Sequence, residues 1–233
     1  MTACAGDAGT NALPEPRADR KESGFSSVEA QLLLGQLALQ RGDHDAALEW
    51  FRIASRHGDA RGFNMLGRCY ERGWGVAVDE EMAVAYFRHA AELGDAWATF
   101  NLADAYARGR GCQRDDGLAY TYYVKAAGLG HAKSLNMLGL FHEEGRAVAA
   151  DESAAREFFR AGAEAGDCWA QFNHARMLIG DREISGAVVW LDKALDSGFP
   201  DFWMSMAEIL SAISEPQLQA IGRKARALSA GNS

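Results

Sequence analysis

The side chains of this sequence that could do chemistry are four cysteines, six histidines and a recurring glycine loop. Thiolates and imidazoles hold zinc when they come in closely spaced pairs. Here Cys69, Cys112 and Cys168 sit in separate segments and no C-x-x-C occurs, so they read as buried thiols in a reducing compartment. Cys4 lies too near Met1 to follow an apolar leader. His44, His57, His89, His131, His142 and His174 are scattered, and the tightest cluster, His142-Glu143-Glu144, lacks the second histidine of H-E-x-x-H. Neither G-x-S-x-G nor a P-loop is present. The segment Gly73-Trp74-Gly75 raises the possibility of a phosphate cradle, but such a loop follows a β-strand, and no alternating pattern precedes it. These residues predict no catalytic centre, no metal and no cofactor.

What positions them is a repeat. Gly58-Asp59-Ala60, Gly94-Asp95-Ala96, Gly130-His131-Ala132 and Gly166-Asp167-Cys168 recur every 36 residues, with Gly198 next in line. Periods of this size mark solenoids, whose units bury apolar faces only against their neighbours. Leu66-Gly67, Leu102-Ala103 and Leu138-Gly139 recur in the first half of the unit. In the second half, Ala83, Tyr86, Phe87, Ala90 and Ala91 fall on one helical face, and Ala119, Tyr122, Tyr123, Ala126 and Ala127 repeat them. Between the halves, Gly73-Trp74-Gly75, Gly109-Arg110-Gly111 and Gly145-Arg146-Ala147 end a first helix, and Asp79, Asp115 and Asp151 are suited to cap a second. Each unit is therefore expected to be helix, turn, helix.

From Gly58 to Gly94 the chain reads GDARGFNMLGRCYERGWGVAVDEEMAVAYFRHAAELG, which resembles the Sel-one-like repeat family, relatives of tetratricopeptide repeats. The expected fold is all-α, with about six helical pairs starting near residues 26, 58, 94, 130, 166 and 198, the last a degenerate cap. The domain so defined spans residues 26–231. Residues 1–25, rich in Gly, Ala, Pro and charge, read as a disordered tail. The resemblance implies a right-handed superhelix whose first helices line a concave groove, and a role as an adaptor or scaffold for other proteins. A stoichiometric regulator of one enzyme and a self-assembling scaffold are the alternatives. Departures from the family pattern are Ala147 for a loop glycine, His174 for leucine, and short turns in the first and fifth units.

In that register the groove-facing candidates are Arg61, Asn64 and Arg68; then Trp97, Phe100 and Arg108; then Lys133 and Asn136; then Trp169, Phe172 and Arg176. The tryptophans are open to two readings, core between helical pairs or anchors for an apolar side chain, since Trp and Arg dominate binding hot spots. The arginines either form a basic lining or pair with neighbouring acids. The two asparagines could hold a peptide backbone. Together they suit a protein or peptide segment with acidic and apolar character. With 32 acids against 24 Lys and Arg, the chain carries a net charge of −8, which argues against nucleic acid and anionic membrane as partners. No apolar run is long enough to span a bilayer, and the chain is expected to be a cytoplasmic monomer.

Overall fold

The computed structural model describes residues 27–231, and the expected tail over 1–25 lies outside the described residues. Six helical pairs follow one another: α1 (Ser27–Gln40) with α2 (His44–Arg56), α3 (Ala60–Arg72) with α4 (Glu80–Glu92), α5 (Ala96–Arg108) with α6 (Asp116–Gly128), α7 (Ala132–Glu144) with α8 (Glu152–Glu164), α9 (Cys168–Gly180) with α10 (Ile184–Ser197), and α11 (Pro200–Ser211) with α12 (Pro216–Gly231). From α1 to α10 each helix packs on the next, and α11 packs on α12, whereas the backbones of α10 and α11 do not pack closely on each other. In addition α3 touches α5 and α7 touches α9, whereas among the even helices only α10 and α12 meet closely. The odd helices are thus drawn together along one side, which makes that side the inner face of the stack. The chain is an all-α repeat solenoid.

The helices start and stop where local chemistry dictates. Asp79, Asp115 and Asp151 accept hydrogen bonds from the amides of Met82, Leu118 and Ala154, capping α4, α6 and α8. Asp59, Asp95 and Asp167 cap α3, α5 and α9 in the same way. Gly73, Gly109 and Gly145 close α3, α5 and α7 in the left-handed conformation, at φ 72°, 66° and 67°. The second loop position is also left-handed, and there Ala147 adopts φ 61° where the other units place Gly75 and Gly111. That departure leaves the loop geometry intact and puts the strain on one residue. In the shortened units the turn is carried instead by Gly42 at φ 74° and by Arg182 at φ 65°.

The core repeats one contact. Phe51, Phe87, Tyr123 and Phe159 are almost wholly buried on the even helices. The rings of Phe51, Phe87 and Phe159 press on Gly35, Gly67 and Gly139, where an added Cβ would collide with them, at 2.6 Å in the Gly67 case. Leu66, Leu102 and Leu138 are sealed beside these contacts. The fourth register position, His174, is only half-buried and turns edge-on to Trp190 at 5.3 Å; burial lowers its pKa. The expectation of three buried thiols is corrected in one case. Cys69 and Cys168 are buried and burial pushes both thiols up to about 11, but Cys112 lies in a surface loop and is half-buried. The last helix exposes Arg223, Lys224 and Arg226, with Lys224 reaching Asp192 at 3.1 Å.

Two substitutions test this account in opposite directions. Gly139→Ala should destabilise the protein by about 1–3 kcal/mol in urea titration, because Phe159 has to leave its rotamer or α7 has to shift. Ala147→Gly should leave stability unchanged or raise it by up to about 1 kcal/mol, since relief of the left-handed strain outweighs the added chain entropy.

Candidate partner-binding groove

The inner-face side chains alternate with a period of two units. Arg61, Asn64 and Met65 on α3 are matched by Lys133, Asn136 and Met137 on α7, while Trp97, Phe100 and Asn101 on α5 are matched by Trp169, Phe172 and Asn173 on α9. The backbone is the same in each case, so the alternation decides what the face offers.

The two tryptophans part company. Trp97 remains 58% exposed, resting by one face against His131 with ring centroids 4.5 Å apart. Trp169 is half-buried, because Phe202 on α11 stands edge-on to it at 4.8 Å. The position that Phe202 fills in the last pair is held on α7 by Ser134, which hydrogen-bonds His131 at 3.0 Å instead of covering the indole. Trp169 is thus packed between helical pairs, as the core reading has it, while Trp97 stays open to solvent. Phe100 and Phe172 are buried beneath them.

The asparagines are placed differently from expectation. Asn64 and Asn136 are 8% and 4% exposed, and their side-chain carbonyls accept hydrogen bonds from the amides of Asn101 at 2.9 Å and Asn173 at 2.8 Å. The reason is the close approach of neighbouring odd helices, which makes each amide the partner of the next. They lock helices together and are not free to hold a peptide backbone. Asn101 and Asn173 were not singled out in the sequence, although their 72-residue separation was a signal. Of the basic residues, Arg61 is held by Asp59 at 2.8 Å, Arg108 by Asp104 at 2.8 Å and Arg176 by Glu143 at 2.7 Å. Arg68 lies over the Trp74 ring at 5.5 Å, and Lys133 over Phe100 at 5.3 Å.

Two open cavities meet at Trp97. One, about 550 Å³, is lined by Arg68, Glu71, Arg72, Glu80, Phe100, Asn101, Asp104, Arg108, Arg110, Lys133 and Met137. The other, about 510 Å³, is lined by Glu29, Leu32, Leu33, Gln36, Arg61, Asn64, Met65 and Asp95. The first is lined mostly by charged side chains, and the second mixes the apolar Leu32, Leu33, Met65 and Trp97 with polar neighbours. The residues absent from the sequence-derived set include Met65, Glu80, Asn101 and Met137 on the helices and those that a loop and α1 bring in, Arg110 and Leu33 among them. Three loop side chains occupy the same position in successive units. Trp74 packs into the first core; Arg146 pairs with Asp116 at 2.7 Å and, ahead of Arg114, holds that carboxyl at about 2. Arg110 has neither fate, and its guanidinium makes no ion pair among the described residues.

Among the described residues no three His, Cys, Asp or Glu side chains are grouped to hold a metal ion. His142 bonds to the Tyr120 hydroxyl at 3.1 Å and stacks on Phe158, Glu143 turns to Arg176, and Glu144 to Arg146, so that cluster disperses. Among the described residues no helix is long and apolar enough to cross a membrane.

His131 stands where α3, α5 and α9 have a capping aspartate, and it gives α7 no side-chain cap. It is 5% exposed, wedged between Trp97 and Phe100, and its Nε2 has no partner among the described residues. Burial first and Lys133 second lower its pKa from 6.5 to about 4. The unfolded chain therefore takes up this proton before the folded one, and stability is lost as pH falls from 6.5 towards 4. Melting temperature should fall across that window in the wild type and fall less steeply in His131→Asn, which removes the titration and supplies a cap.

The Sel1 repeat family model matches residues 28–59, 64–95, 98–131 and 132–167. No curated protein matches the sequence. Among solved structures, a Sel1 repeat protein of Oxalobacter formigenes superposes with TM-score 0.75 at 22% identity, covering 89% of each chain. A protective antigen of uropathogenic Escherichia coli with an SLR fold gives 0.65 at 26% identity, over 88% of this chain and 46% of that one. An immunity protein of Pseudomonas aeruginosa also gives 0.65, at 15% identity, over 89% and 82%, a likeness of fold alone. With four matched repeats covering more than half its length, this chain belongs to the Sel1 repeat family.

Proposed function

We propose that this protein is a non-catalytic adaptor, a cytoplasmic monomer that holds a segment of a partner protein along its inner face. Sel1 repeat proteins are generally scaffolds for protein–protein interaction, which supports the class of function. The observation that carries the reading to a site is Trp97, an indole left 58% exposed where two cavities meet. A large apolar side chain held in water by a rigid helix is a ready anchor, because ordering it on binding costs little further entropy. Free thiols at Cys69, Cys112 and Cys168 support a reducing setting.

The test compares the two tryptophans in a pull-down from native lysate. Trp97→Ala should keep its melting temperature and weaken retention of the partner about ten-fold or more. Trp169→Ala, which removes a packed ring, should instead lower stability by about 2–4 kcal/mol. Equal retention by wild type and folded Trp97→Ala would remove the groove from consideration.

A further inference from the structure

Resting on the groove reading above, we infer that the site is bipartite and directional, built for an extended partner segment with an apolar side chain towards α1 and carboxylates towards α7. Trp97 is the only residue common to the two cavities, so anything that reaches both must cross it. On the α1 side Leu32, Leu33 and Met65 lie beside the indole, and Glu29, Gln36, Arg61, Asn64 and Asp95 complete the lining. Leu33 is 43% exposed, so an apolar side chain seated there would take both it and Trp97 out of water.

On the other side the charge is unbalanced. Two of the five cations there are neutralised locally, Arg108 by Asp104 and Arg72 by Glu71 at 3.4 Å. Arg110 and Lys133 form no ion pair among the described residues, and both are exposed. Arg68 is half-buried over Trp74, and its Nε has no partner. Against these three the cavity lining leaves only Glu80, which makes no ion pair with them, while Asp167, outside the lining, lies near enough to Lys133 to interact with it. The surplus is more notable in a chain whose overall charge is −8. A third cavity of about 510 Å³ shares Arg108 and Arg110 and is bordered by Arg114, Arg146 and Glu144; there Asp104, Asp116 and Glu144 pair with the other arginines and Arg110 alone is unpaired among the described residues. An acidic segment is therefore drawn in at this end and repelled by the rest of the molecule, which fixes its direction. Neighbouring odd helices spaced about 10 Å apart, and an extended chain rising about 3.3 Å per residue, place the apolar anchor roughly three to six residues from the carboxylates.

The experiment is selection of a random twelve-residue peptide library on the full chain at physiological salt, with the enriched peptides measured by fluorescence anisotropy. The expected consensus is one bulky apolar residue with two or more Asp or Glu on one side only, about three to six positions away. Arg110→Glu/Lys133→Glu should weaken such a peptide about ten-fold or more, Leu33→Glu should weaken it comparably, and higher salt should weaken the wild-type complex. Both substituted cations are exposed, so circular dichroism should show the variants folded. Enrichment of neutral or basic peptides, or acidic peptides bound equally by the charge-reversed variant, overturns the bipartite inference. In that case loss of those peptides in Trp97→Ala would still leave the groove reading standing. Peptides insensitive to all three changes, or no enrichment, would overturn both.

Discussion

The ring of Phe87 occupies the space that a Cβ on Gly67 would need, and the same exclusion recurs between Phe51 and Gly35 and between Phe159 and Gly139. This contact governs the structure because no unit has a core of its own. Within a pair each ring seats on the glycine of the odd helix, and the neighbouring pair completes its cover. Small residues on the odd helices let the even helices approach closely enough to seat the rings, and that approach sets the spacing of the two helices in each pair. The N-cap aspartates and left-handed glycines fix where each helix begins and ends, so that the contact recurs in register. A one-residue slip in any turn would rotate every ring out of its socket.

With the backbone so constrained, variety is confined to the inner face. The face alternates between a basic–amide–methionine set and a tryptophan–phenylalanine–amide set, and the Asn64–Asn101 and Asn136–Asn173 pairs join one set to the other. Identical sets do not have identical fates. Trp169 is roofed by Phe202 at the closing pair, while Trp97 faces Ser134 and His131 and stays open. The final pair spends one potential anchor on sealing the end of the solenoid, and the middle of the stack keeps the other.

Charge follows the same logic of position. Many arginines are matched by acids close in sequence or a unit away, and such exposed pairs add little stability. Others make no ion pair among the described residues, and what sets Arg110 and Lys133 apart is that they border the cavity beside Trp97. Arg110 differs from Arg146 in its neighbours: Asp116 at the start of the preceding even helix reaches Arg146 at 2.7 Å and Glu144 also pairs with it, while Glu80 makes no ion pair with Arg110.

Much of the fold was legible in the sequence because a solenoid is nearly one-dimensional. The 36-residue period, the aromatic–small alternation and the Gly and Asp punctuation are local patterns, and local interactions realise them in the same order. That determined the helical pairs, the caps and the set of residues presented on the odd helices. Which of those residues would be open was not local. The burial of Asn64 and Asn136, the cover over Trp169 and the arrival of Leu33 and Arg110 in the groove all depend on side chains a whole unit or more away. Equal positions in the repeat therefore predict equal backbone, whereas exposure and charge balance are decided by neighbours that only the packed stack brings together.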